Sequence, residues 1–301
     1  MRGLWARWVA WTARDMDARP LALVRIATSV VLLVDYLRAG WLGLVPVLWR
    51  PNVAGGIPVR PGSVYLEGFG RLFGPEAGGA WAWLIGVASM LLAALGVGAR
   101  PALLLAALCH AQLGHLNDMG DRAIDRMVRT VWLVLVFSGA HRRFAIGGRP
   151  HLDRVPAWPA DFLRFLLVLM YMQAGFAKII ANPGWLGLRG VPVLFRIMTD
   201  PMAAHLDPHV GVEWYPVFRF FSIGTILLEL SAPFLFTRFA WIWAIFGAMM
   251  HIGIASVIDI GVFSYGMLGL YPLLLVDWFE TGRPWGRGGL FGRGRGAPPA
   301  G

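Results

Sequence analysis

Lys178 is the only lysine among the 27 basic residues of this chain; the others are all arginine. It lies near the end of the apolar stretch LLVLMYMQAGFAKIIANPGW. Arginine stays protonated in a protein, whereas a lysine in apolar surroundings can release its proton and act as a base. The simpler reading is a lysine that snorkels its ammonium to a nearby interface. Other ionisable residues also interrupt apolar stretches: Asp35, His110, His115, Asp121, Asp125, Glu229, His251 and Asp259. Such groups are costly within a membrane, so they face a bundle interior, a cavity or one another. Pairing alone is the plain role for the acids. Asp35 is expected to meet Arg25 or Arg38, and Asp121 and Asp125 to meet Arg122, Arg126 or Arg129. On a helix Ala174 and Gly175 share the face of Lys178, with Tyr171 two turns back; Gly247 and Ala255 flank His251 by four residues each way. Stripes of that kind allow close helix packing or leave room for a flat ligand. The single cysteine, Cys109, excludes an internal disulfide and a CxxC redox or zinc pair, and no metal site is expected.

The elements that must position these residues follow from composition. The 301 residues are 57% hydrophobic and only 15% charged, with mean hydropathy +0.60. Ordinary soluble domains are more charged and less apolar. Continuous apolar runs, rather than alternation, predict an all-α polytopic membrane helix bundle and not a β-barrel. About eight transmembrane helices are expected, near 21–42, 79–98, 101–117, 123–140, 160–181, 216–237, 239–257 and 261–277. Residues 1–19 place Leu4, Trp8 and Trp11 on one helical face with Arg7 and Arg14 elsewhere, which predicts an interfacial amphipathic helix ending at Pro20. They lack the continuous apolar core of a signal peptide. The transmembrane domain is expected over 20–281, and the Gly/Pro/Arg-rich residues 282–301 read as a disordered basic tail.

Arginine bias sets the orientation. With the N-terminus cytoplasmic, the inner segments hold the larger share of the arginines, including Arg2, Arg7, Arg14, Arg19, Arg142, Arg143, Arg149 and Arg154. Both termini are therefore expected inside. The net charge of +10 is explained by anionic lipid, without nucleic acid. The outer connection 182–215, with Trp185, Phe195, Trp214 and Tyr215, is expected to pack as a cap. This topology brings most of the ionisable residues to one depth and suggests a single polar cavity open to the outside. The N-terminus is expected to remain unprocessed, and a bacterial inner membrane is the expected location.

Four stretches carry a family resemblance: PLALVRIATSVVLLVDYLR; HLNDMGDRAIDRMVRTVWLVLVFSGAHRRFAIGG; YMQAGFAKIIANPGW; and LLELSAPFLF followed by MMHIGIASVIDIGVFSYGMLGLYPLLL. In order and spacing they resemble the membrane region of the vitamin K-dependent gamma-carboxylase family, called the HTTM (horizontally transferred transmembrane) domain in bacteria. The resemblance implies Lys178 as the general base on reduced vitamin K or menaquinol, and His251 as a site residue orienting the quinol. It further implies oxygen-dependent quinol epoxidation coupled to carboxylation of a glutamate side chain, a carbon–carbon lyase chemistry. Tyr171, Gly175, Asp121, His115, Glu229 and Trp185 are the residues expected around such a cofactor. The chain departs from the pattern in three places, the first being the tryptophan after Lys178, which comes two residues later than in the family. The histidine of the family's outer segment has no counterpart in Asp121-Arg122-Ala123. In place of the large extra-membrane domain that binds a propeptide in eukaryotic members, only a short tail is expected here.

The leading expectation is thus a membrane enzyme using Lys178 on a lipid-soluble partner and modifying a small peptide or protein. The alternative is a maturation or immunity factor that binds a small secreted peptide without chemistry. A haem or quinone electron carrier using His110 and His251 ranks lower, because histidines in helices are more often packed or hydrogen-bonded. A transporter lacks support, since no inverted repeat or pair of broken helices is visible.

Overall fold

The computed structural model describes residues 3, 5–6, 9–10, 13–57, 64–117, 120–146, 151–180, 183–186, 205 and 212–282. The expected cap over 182–215 and the tail lie mostly outside these residues; of the expected interfacial helix over 1–19, residues 3, 5–6 and 9–10 are helical, whereas Asp15–Asp17 form a strand. The chain divides into two compact units, Met1–Leu163 with Gly261–Leu273, and Arg164–Ile260 with Leu274–Gly301.

The helices are α1 (Arg19–Trp41), α2 (Val45–Trp49), α3 (Val64–Phe73), α4 (Gly78–Leu95), α5 (Ala99–Leu116), α6 (Ala123–Phe137), α7 (Trp158–Ile180), α8 (Tyr215–Leu230), α9 (Ala240–Val257), α10 (Phe263–Gly269) and α11 (Val276–Thr281). Among the described residues, α1, α4, α7 and α9 are long and apolar enough to cross a membrane. The structure therefore supports a helical membrane protein with four candidate spans among the described residues, and it does not confirm the expected count of about eight. The other four stretches fall short for visible reasons. Helix α5 has 18 residues but carries Arg100, His110, Gln112 and His115. The 15 residues of α6 reach only about 22 Å, against roughly 30 Å of hydrocarbon. Helix α8 gives way to a 3-10 turn, Ala232–Phe236, in which Pro233 has no N–H to continue an α-helix. The last stretch breaks into α10, a 3-10 turn at Tyr271–Leu275 containing Pro272, and α11.

One element was absent from the sequence reading. Asp15–Asp17 (β1) pairs antiparallel with Arg154–Pro156 (β2), Met16 opposite Val155. The Ala18 N–H to Asp153 and the Ala157 N–H to Arg14 extend the ladder. The Arg14 guanidinium grips both carboxylate oxygens of buried Asp161 at 2.7 and 2.8 Å. Three residues per strand give too short an alternation to stand out beside long helical stretches.

The first unit packs α1 against α4 through α6. Pro20 sits in the first turn of α1, where its missing N–H is no loss. Fully buried Arg25 bonds to the carbonyls of Ala93 at 2.9 Å, Arg143 at 3.0 Å and Phe144 at 2.9 Å. It ties the C-terminal end of α4 to the loop after α6, satisfying carbonyls that a helix end leaves unpaired. Buried Trp132 of α6 donates its indole N–H to Thr28 of α1 at 3.0 Å. In the second unit, α7 buries Leu167, Val168, Tyr171 and Gly175 on one stripe, and α9 buries Ala240, Trp243, Ala244, Gly247 and His251. Both follow the three-and-four spacing of a helix face.

Candidate functional site

The second unit assembles most of the residues singled out in the sequence. Lys178 in the last turn of α7 donates its ammonium to both oxygens of Glu229 on α8, at 2.6 and 2.8 Å. The Lys178 side chain is 18% exposed and that of Glu229 only 7%. A buried carboxylate needs such a partner, because neither ion could stand alone in apolar surroundings. The ammonium also lies 5.0 Å from the ring centre of Trp185, within cation–π range. Gly175, one turn before Lys178, lets α7 approach α8. A Cβ there would stand 3.0 Å from Leu230 and 3.2 Å from Glu229. That small residue serves close helix packing, the more ordinary of its two readings.

Two turns back along α7, about 10 Å by helix rise, buried Tyr171 bonds through its hydroxyl to His251 Nε2 of α9 at 2.8 Å. The Tyr171 ring meets Trp243 edge-on, with centroids 4.7 Å apart at 72°. Trp243 in turn donates its indole N–H to the Leu228 carbonyl and to Ser231 Oγ, at 3.0 and 3.1 Å. Tyr171 and Trp243 thus link α7, α9 and the end of α8 around His251. Trp243 was missed by the sequence reading. Its only signal is a tryptophan two turns before His251 on the same face.

Asp121 and His115 belong to the first unit. Asp121 binds Arg129 at 2.6 and 2.9 Å and Arg126 at 3.0 Å, as the pairing reading expected. His115 is exposed near the end of α5. Asp35 pairs with neither Arg25 nor Arg38 but with Arg122, at 2.8 Å. Arg25 lies about 15 Å away along α1 and is held by carbonyls, while the start of α6 brings Arg122 alongside. Arg122 also binds Asp125 at 2.7 Å. The polar residues therefore form two groups, each built within one unit. Among the described residues no cluster of three or more His, Cys, Asp or Glu side chains could hold a metal ion.

The comparisons with known proteins bear on this arrangement. No curated protein and no solved structure matches the chain. A family model does match, that of the HTTM domain, over residues 79–278. The matched region takes in Tyr171, Lys178, Glu229 and His251. Extending over well more than half of the 301 residues, and joined to four helices fit to cross a membrane, this match shows that the chain belongs to the HTTM domain family of membrane proteins.

Proposed function

We propose that this protein is a membrane enzyme of the gamma-carboxylase-like kind, in which Lys178 and Glu229 handle a proton for a quinol-type partner and, through it, modify a peptide. One observation carries the reading: the sole lysine of the chain gives its ammonium to both oxygens of a buried carboxylate, beside an indole face. A base must present a neutral amine. Passing one proton from Lys178 Nζ to a Glu229 oxygen, across 2.6 Å, turns a buried ion pair into an amine and a carboxylic acid. Apolar surroundings favour that neutral state more than water would. The amine can then accept a proton from a bound hydroxyl. His251, held by Tyr171, acts as a positioning residue. The donor set fits a hydroquinone, with Lys178 for its hydroxyl and Trp185 for its flat face. Such a cofactor, when bound, supplies reducing electrons and an acidic hydroxyl.

The β1–β2 pairing supports the topology proposed with this reading. Strands at 15–17 and 154–156 can pair only on one side of a membrane, so the chain between them crosses an even number of times. That agrees with the four crossings proposed before residue 154; the rest of the proposal is eight crossings in all, with both termini cytoplasmic. A bacterial inner membrane and its anionic lipids complete the proposed setting.

A second reading draws on the same contacts. Lys178 and Glu229 satisfy one another and Gly175 closes α7 onto α8, as in a helix clamp of a non-catalytic peptide maturation or immunity factor. The deciding experiment incubates purified protein with reduced menaquinone or a vitamin K analogue under air and follows quinol oxidation or epoxidation. Wild type should turn the quinol over, while Lys178→Ala, Lys178→Arg and Glu229→Gln lose at least ten-fold. Equal turnover by all four proteins, or none by the wild type, sinks the catalytic reading in favour of the clamp.

A further inference from the structure

The loop that follows α6 is built in a way that the reading above does not use. Its sequence, His141-Arg142-Arg143-Phe144-Ala145-Ile146, sets two arginines beside two large apolar residues. Phe144 has φ +49 and is the one non-glycine residue with positive φ among the described residues. A bulky L-residue avoids that left-handed region, so its surroundings must hold it there. They do so through the backbone. Fully buried Arg25 of α1 binds the carbonyls of Arg143 and Phe144, and the Ile146 N–H donates to the Leu95 carbonyl of α4 at 2.8 Å. The apolar side chains are left outside: Phe144 is 45% and Ile146 65% exposed. The Arg143 guanidinium lies 5.3 Å from the ring centre of Phe144.

The level of this loop follows from its supports. Both α1 and α4 are long and apolar enough to span. The 23 residues of α1 reach about 34 Å, against roughly 30 Å of hydrocarbon, so its ends stand among the headgroups. Arg25 reaches out from the second turn of α1, and Leu95 is the last residue of α4. The loop they hold therefore sits where hydrocarbon gives way to headgroups. The turn after α4 packs on it, because a Cβ on Gly96 would lie 2.5 Å from the Ala145 Cβ, and that turn leads to exposed Arg100. Arg143 pairs with Asp153, but that carboxylate is 80% exposed, and surface pairs of this kind are weak. Closing the end of α4 explains the bond from Arg25 to Ala93. It does not explain a phenylalanine held in a glycine conformation with its ring outside and arginines beside it.

We propose that residues 142–146 form a fixed site for an anionic phospholipid. The phosphate diester lies on the guanidinium groups of Arg142 and Arg143, and Phe144 and Ile146 enter the top of the acyl chains. Opposite charges meet at headgroup level, and the two apolar side chains add buried area just below it. Because the backbone is already held by Arg25 and Leu95, the site exists before lipid arrives and little order is lost on binding. The proposal does not rest on the Lys178 reading, because every residue in it belongs to the first unit.

The test uses energy transfer to lipid. Cys109 is buried and is the only cysteine, so Val97→Cys, exposed in the turn beside the loop, can carry a single donor dye. The full-length chain is reconstituted in phosphatidylcholine vesicles with a trace of acceptor lipid labelled on an acyl chain, either phosphatidylglycerol or phosphatidylcholine. Wild type should show at least five-fold enrichment of phosphatidylglycerol near the dye. Arg142→Gln combined with Arg143→Gln should bring the ratio to within two-fold, while transfer to phosphatidylcholine stays unchanged and so shows that the loop has kept its place. Phe144→Gly suits the positive φ but removes the ring, and should lower the enrichment by about half. Arg38→Gln combined with Arg50→Gln removes the same charge beyond the other end of α1 and should change nothing. Soluble glycerol 3-phosphate should not compete, since it lacks acyl chains. Equal transfer to both lipids in wild type, an enrichment that survives loss of the loop arginines or of the Phe144 ring, an equal loss in the far-end variant, or displacement by glycerol 3-phosphate overturns the proposal.

Discussion

Breaking the pair between Lys178 and Glu229 should cost different amounts from its two sides, and the difference follows from burial. In Lys178→Met the Glu229 carboxylate, 7% exposed, loses both hydrogen bonds and its counter-charge. Removing one member of a buried ion pair costs about 3 to 5 kcal/mol. The 18% exposure of Lys178 points to the lower figure, about 3 kcal/mol. In Glu229→Gln the amide oxygen can still accept from the ammonium. The lysine can also swing its charged end toward water on its four-carbon stem, so the loss should be about 2 kcal/mol. The double variant leaves no uncompensated charge. It should lose about 3 kcal/mol rather than the sum, a coupling of about 2 kcal/mol, or roughly thirty-fold in the unfolding equilibrium. Unfolding titrations with increasing mole fraction of SDS in mixed micelles would supply all four corners of the cycle. Additive losses, or single losses both below about 1 kcal/mol, would refute the account of this pair as a buried, mutually dependent contact.

Two further outcomes concern the first unit. Gly96 has φ +78, and a Cβ there would lie 2.5 Å from both Arg25 Nη1 and the Ala145 Cβ. Gly96→Ala should therefore cost about 2 kcal/mol or more, combining left-handed strain with damage to the carbonyl contacts of Arg25. Gly98→Ala, at φ +52 with nothing nearer than 3.8 Å, should cost only about 1 kcal/mol in the same titration. Asp121 lies between α5 and α6. Burial alone would raise its pKa, but the hydrogen bonds and charges of Arg129 and Arg126 prevail and hold it below the ordinary value of 3.8. A depressed carboxyl contributes stability that is present above its unfolded pKa and lost as the pH falls through its folded one. Asp121→Asn should lower stability by about 1 to 2 kcal/mol at pH 7, and its stability should converge with that of wild type as the pH falls below 3.8. A difference that stays constant down to low pH would contradict this.

Much of this protein is written in the one-dimensional pattern of apolar and polar residues. Helical class, membrane character and the unusual standing of Lys178 need only composition and local spacing, because helix periodicity and membrane thickness are local rules. The ion pairs of Asp121 and Asp125 were also within reach, since their arginines lie a turn or two away. The number of spans was not. Whether α6, α8 and the segment after Gly261 run straight through depends on where Pro233 and Pro272 break them and on what neighbours cover their polar ends. Partner choice over long separations was equally hidden. Nothing local says that Asp35 takes Arg122, that Glu229 takes Lys178 across 51 positions, or that Tyr36 and His110 meet across 74. A helix fixes which side chains share its face; only the packing of one helix on another decides which face it meets. The sequence by itself determined a helical membrane chain with costly charges inside it, and the tertiary structure decided how those charges are paired, because in apolar surroundings each ion must find its partner wherever the fold brings one near.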